Sequence, residues 1–116
     1  MILIDYFHGE IGSGDQDGNN FRTIDLNNKY YELLKQYKND SRVTIIKGDS
    51  TEELNKFSNN YFDMIYIDAD HSYEGCKKDL NESYKKIKNG GWILGHDYAL
   101  NPKKTKNKRD FGVKRA

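Results

Sequence analysis

The sequence predicts an α/β domain built on a parallel sheet, and three observations carry that prediction. Between residues 43 and 98, short apolar or β-branched runs alternate with helical periodicity in the order strand, helix, strand, helix, strand, the pattern of βαβ crossovers. The middle run, FDMIYID, is almost continuously apolar, as expected of a parallel strand covered on both faces. Each run ends in polar residues: Asp49; then Asp68, Asp70 and His71; then His96 and Asp97. Ligands of open parallel sheets bind beyond the carboxyl ends of the strands, so these three tips are expected to converge on one edge as a site.

Along the chain, MILID reads as a further buried strand with Asp5 at its tip. HGEIGSGDQDGNNF, rich in Gly, Asp and Asn, reads as loop. FRTID is a weaker strand candidate. NNKYYELLKQYK is a helix with Tyr30, Leu33, Leu34 and Tyr37 on one face. VTIIKGD is a short strand, and STEELNKF a short helix opened by a capping box of Ser50 and Glu53. After FDMIYID comes a helix with Cys76, Leu80, Tyr84 and Ile87 at apolar spacing. Asn89-Gly90-Gly91 is its expected left-handed stop, and WILGHDY the last strand. Trp92 and most of the tyrosines read as core or lid material.

Composition bounds the rest. A chain of 116 residues is one domain at most, 1–116. With 32% charged residues and a mean hydropathy of −0.99 the chain is polar, but its apolar residues are clustered, which argues against disorder. A net charge of +1 calls for neither nucleic acid nor an anionic membrane as partner; NPKKTKNKRDFGVKRA alone is locally basic and reads as a solvated loop. One cysteine, Cys76, excludes an intrachain disulfide and a cysteine zinc cluster. MILI is too short for a signal peptide or membrane span, and a reducing, cytoplasmic setting is the expectation.

Each motif has a bland reading beside its chemical one. GEIGSGD could bring backbone close to a cofactor, but a plain surface loop is the better reading. DQDGNN fails as a calcium loop, because Ile24 falls where the bidentate Glu belongs. Asp5 could accept hydrogen bonds from ribose hydroxyls or merely open a turn, and Asp25 in FRTIDL competes for the ribose role. IDADH is the strongest signal. Asp68 and Asp70 point the same way in an extended segment, where they share a hard cation such as Mg²⁺, or one serves as general base. In the bland reading Asp70 or Ser72 caps the next helix. His96 and Asp97, in GHD, would complete a three-ligand set with Asp68. His71 is nearly as well explained as a packing histidine, and Tyr98 could line a pocket.

Together these residues carry a resemblance. VTIIKGDSTEEL, FDMIYIDADHSYEGCKKDL, IKNGGWILGHDY and FGVKRA resemble class I S-adenosylmethionine-dependent methyltransferases, and among them the metal-dependent O-methyltransferases. The resemblance is strong from about residue 43 onward and loose before it. It implies a Rossmann-like parallel sheet with flanking helices, S-adenosylmethionine as cofactor, a small-molecule hydroxyl as acceptor and a divalent cation. It places Asp5 (or Asp25) at the cofactor ribose, Asp49 and Ser50 by the adenine, Asp68, His96 and Asp97 at the cation, and Asp70 or His71 near the general base. Asp68 also belongs to the cofactor edge. His96 stands where the catechol-type enzymes have a carboxylate.

Measured against that family, the chain is expected to be a partial domain. If Asp5 is the ribose acid, a first βα unit with its Gly-rich turn is missing, and so are the last strands beyond FGVKRA. An unpaired sheet edge is then expected to favour self-association. Two competing readings are a nucleotide-sugar glycosyltransferase using IDAD as a metal motif and a non-catalytic remnant.

Overall fold

The structure, a computed structural model, describes residues 1–8, 10–13, 22–70 and 72–96, and of residues 10–13 and 22–24 the backbone alone. Parallel strands in sheets flanked by helices make it the partial Rossmann-like α/β fold that the sequence predicts. The chain divides into two compact units, residues 1–49 and 50–116.

In the first unit β1 (Ile2–Asp5) pairs in parallel with β4 (Thr44–Lys47), in register from Ile2 opposite Thr44 to Asp5 opposite Lys47. The ladder is continued by Thr44 N–H to the Met1 carbonyl (2.9 Å) and Gly48 N–H to the Asp5 carbonyl (3.0 Å). Residues 10–13, expected as loop, form strand β2 (Glu10–Ser13), antiparallel to β3 (Arg22–Asp25). The glycines of that window hid the strand, because its pairing partner lies outside any local window. Helix α1 (Leu26–Gln36) begins at Asp25, whose carboxylate accepts the Asn27 and Asn28 N–H groups (2.9 and 3.2 Å). Its half-buried residues are Leu26, Tyr30 and Leu33, continued by Tyr37. Leu34, expected on that face, is exposed, since a stripe spaced four, three, four leaves position 34 to one side.

In the second unit β5 (Phe62–Ile67) and β6 (Ile87–Gly95) are parallel neighbours joined by α3 (Tyr73–Lys86), and α2 (Ser50–Asn55) packs on α3. The crossover helix is less apolar inside than its sequence suggests. Its buried residues are Cys76, Asp79, Ser83 and Lys86; Leu80 is half-buried and Tyr84, expected in the core, is 78% exposed. The polar atoms on this face are largely satisfied. The Ser50 hydroxyl donates to Asp79 Oδ1 (2.5 Å), and Lys86 Nζ donates to the Phe57 carbonyl (2.9 Å) and Asn59 Oδ1 (3.0 Å). Asn60 and Tyr61 N–H groups close the orphan carbonyls of Lys85 and Lys86 at the helix end. Ser83 is fully buried, and its hydroxyl has no partner among the described residues.

Three further expectations are corrected here. Helix α2 starts at Ser50 itself, one residue earlier than a cap at Ser50 implies; the Ser50 hydroxyl donates to Asp79, and Glu53 pairs with Lys56 at 2.6 Å. Helix α3 stops at Lys86, with Ile87 as C-cap, and Gly90 spends its positive φ of 80° inside β6, near the register shift between Phe62 and Met64. The β5 strand is covered on one face only. Ile65, Ile67 and Ile93 are half-buried, whereas Met64 and Tyr66, paired with Trp92 and Leu94, are exposed on the other face. Trp92 is thus not a core residue, because the pleat sends it away from α3.

Candidate functional site

Parallel pairing builds the candidate site at the carboxyl ends of β5 and β6. Ile67 lies opposite Gly95, and His96 N–H extends the ladder to the Ile67 carbonyl at 3.0 Å. The two chains therefore leave the sheet side by side, with Asp68 and His96 as their next residues. Asp68 Oδ1 and His96 Nδ1 lie 3.6 Å apart, each side chain about half exposed. That gap is too long for a direct hydrogen bond. It is also wider than the roughly 3 Å between neighbouring ligands of an octahedral cation held at about 2.1 Å, so sharing a cation would draw the two side chains together.

Asp70, two residues further on, is placed quite differently. Its Oδ1 accepts the Ser72 N–H at 2.8 Å, and its carboxylate lies on the Cα of Gly75, where any Cβ would overlap it. Ser72 is the N-cap of α3, accepting the Gly75 N–H at 3.1 Å. The bland reading of Asp70 thus describes its geometry: it closes the turn that starts the helix. Close by, burial and then the Asp79 and Asp70 carboxylates hold the Cys76 thiol above its ordinary pKa, so this cysteine is a protonated packing residue rather than a nucleophile.

In the first unit Asp5 and the Gly48-Asp49 turn stand at one end of the β1–β4 pair. Asp5 Oδ1 accepts the Phe7 N–H at 2.7 Å. Lys47, its cross-strand neighbour, reaches Asn27 Oδ1 at 2.6 Å and lies 5.6 Å from the Tyr30 ring centre. Asp25, the competing ribose acid, caps α1 at the end of an antiparallel hairpin strand. Ser50, expected beside the adenine, gives its hydroxyl to Asp79.

His71, Asp97 and Tyr98 lie outside the described residues. Among the described residues no cluster of three or more His, Cys, Asp or Glu could hold a metal ion. A polar groove of about 640 Å³ runs between α2 and α3, lined by Thr51, Glu52, Lys78, Asn81 and Glu82 among others, and no strand-tip residue lines it. Phe7, Gly75 and Asp79 escaped the sequence reading. Gly75 had a signal, as a glycine in the first turn of a helix, where it weakens the helix unless space demands it. Asp79 had only its helical spacing from Cys76 and Ser83.

An α/β fold with polar parallel-strand tips defines the broad class, and comparison with known proteins narrows it. A family described as a methyltransferase domain matches residues 2–98. A protein of Mycolicibacterium paratuberculosis (strain ATCC BAA-968 / K-10), named "Putative O-methyltransferase", is 31% identical over 93 residues, which cover 76% of this chain and 41% of that protein. The chain belongs to the methyltransferase-domain family. It spans less than half the length of the curated relative it matches.

Proposed function

We propose that this domain transfers a methyl group from S-adenosylmethionine to a hydroxyl of a small-molecule acceptor, in a cytoplasmic setting. The observation that carries the reading is the in-register parallel pairing of β5 and β6, which sets Asp68 beside His96. Family membership supports it, and no helix among the described residues is long and apolar enough to cross a membrane.

S-adenosylmethionine supplies an electrophilic methyl on a sulfonium. Asp5 would hold its ribose: a carboxylate accepts at about four lone-pair positions, so the Phe7 bond leaves capacity for hydroxyl donors. Asp5 suits the role better than Asp25, being the acid at a parallel strand tip. Asp49 would lie by the adenine, with Ser50 contributing backbone position rather than its hydroxyl. A divalent cation, when bound, supplies positive charge that makes a hydroxyl easier to deprotonate. Asp68 and His96 fit it as neighbouring oxygen and nitrogen donors, with Asp97 as third. The base role falls to His71 rather than Asp70, whose carboxylate accepts the Ser72 N–H in the turn that starts α3. That engagement also counts against the sugar-nucleotide reading, which needs both carboxylates of IDAD on one cation.

The test is calorimetric titration of S-adenosylhomocysteine into the purified chain, with and without Mg²⁺. Micromolar binding is expected, with a Mg²⁺ effect that disappears in Asp68→Ala. A folded chain that binds no cofactor product would sink the proposal and favour a non-catalytic remnant.

A further inference from the structure

Phe7 is the structure's least expected residue. Its φ is +43°, in the left-handed region that aromatic side chains rarely enter and that costs roughly 1–2 kcal/mol. Yet it is among the most buried apolar side chains described, at 4% exposure. Two contacts hold it. Its N–H donates to Asp5 Oδ1 at 2.7 Å, and its ring packs on Tyr30 of α1, centroids 5.1 Å apart and tilted 46°. Such backbone strain persists only where the surroundings over-determine it. Here an aromatic contact on the helix keeps the turn in the one conformation that points an N–H back at the strand-tip carboxylate.

We propose that Phe7 is a positioning residue: seated on Tyr30, it uses its backbone N–H to lock the Asp5 carboxylate in the orientation that receives the ribose hydroxyls. This rests on the reading that Asp5 binds the cofactor ribose. The helix thereby sets the side-chain geometry at the tip of β1, a carboxylate that the turn holds ready before ligand arrives. Lys47, which leans on the opposite strand tip toward the same Tyr30 ring, ties the neighbouring strand to this support.

The experiment compares binding of S-adenosylhomocysteine with its 2′-deoxyribose counterpart to the full chain and to Asp5→Ala, Phe7→Pro and Phe7→Gly. Proline cannot donate an N–H or adopt positive φ, whereas glycine keeps both. The native chain should favour the ribose ligand by about tenfold to a hundredfold, the range for a hydrogen bond to a charged group. Asp5→Ala and Phe7→Pro should lose that preference, and Phe7→Gly, which keeps the N–H and the accessible φ but not the ring on Tyr30, should keep part of it. A purely structural role would weaken both ligands equally and leave their ratio intact. If Asp5→Ala loses the preference while Phe7→Pro keeps it, the positioning role is overturned and the ribose reading stands. If Asp5→Ala keeps it, both fall. Amide exchange of the unliganded chain gives an independent check: the Phe7 N–H should be protected, and its protection should drop in Asp5→Ala. Exchange at the unprotected rate in the native chain overturns the proposal without reference to any ligand.

Discussion

The two parallel pairs end in differently built tips. At the β1–β4 end, the carboxylate of Asp5 is turned back onto its own chain, closing on the N–H of Phe7. At the β5–β6 end, Asp68 lies 3.6 Å from His96 of the neighbouring strand. Asp25 and Asp70 follow the first pattern, each closing on N–H groups within three residues. A carboxylate that closes a local turn is rigid and preset; one that looks across strands has a position decided by sheet register.

That contrast is most sharply broken at Asp68 and Asp70. If the domain transfers methyl groups as proposed, with Asp68 beside the reacting centre, Asp68→Ala should lower that transfer by at least about a hundredfold, the low end for removing a group that handles charge there, and should change thermal stability less than it changes activity. Asp70→Ala should instead cost about 1 kcal/mol of stability, as for a lost cap, measured by denaturant unfolding. The reverse pattern would mean that the two carboxylates have been assigned the wrong way round. Gly75→Ala tests the support beneath Asp70: a methyl there overlaps the carboxylate, so a loss of about 1–3 kcal/mol is expected. In an Asp70→Gly background, which removes the Asp70 Cβ as well as its carboxylate, the same change should cost much less, because the two residues share one contact. Additive effects would show that the overlap is relieved elsewhere.

Smaller effects sharpen the picture of α3. Ser83→Ala should leave stability unchanged or raise it by up to about 1 kcal/mol, since it removes a buried hydroxyl that lacks a described partner; a clear loss would reveal a partner. The smallest effect concerns Cys76. Its thiol is held above the ordinary range by burial and neighbouring carboxylates, so the folded chain binds that proton more tightly than the unfolded one. Stability from this group is full below the ordinary cysteine pKa of about 8.5 and declines as pH rises through and above it. Cys76→Ala should lack that alkaline decline, and alkylation of the native thiol should be much slower than in denaturant. Rapid alkylation of folded protein would contradict the burial.

The strand-end positions of Asp5, Asp68 and His96 were legible because their signals are local. Apolar runs followed at once by Asp68 and His96 place polar residues at strand ends whatever the rest of the chain does. What local pattern could not weigh was competition for each polar atom. Ser50 reads as a helix cap and, by resemblance, as a neighbour of the adenine; Asp79, on another helix, takes its hydroxyl instead. Leu34 and Tyr84 look like core residues by spacing, yet the width of the covered stripe left both in solvent.

By itself the sequence determined the order of every strand and helix except β2, the polar character of the strand tips and the family to which the chain belongs. These follow from short-range periodicity and from residue types in fixed spacing, which need no partner to be read. Only the tertiary structure decided that β5 and β6 stand in register with Asp68 beside His96, that Asp70 is bound by the start of its own helix, and that Phe7 is forced to positive φ against Tyr30. Register, close approach and strain arise from contacts between residues far apart in the chain. Their energies are settled by packing, which no local window of sequence contains.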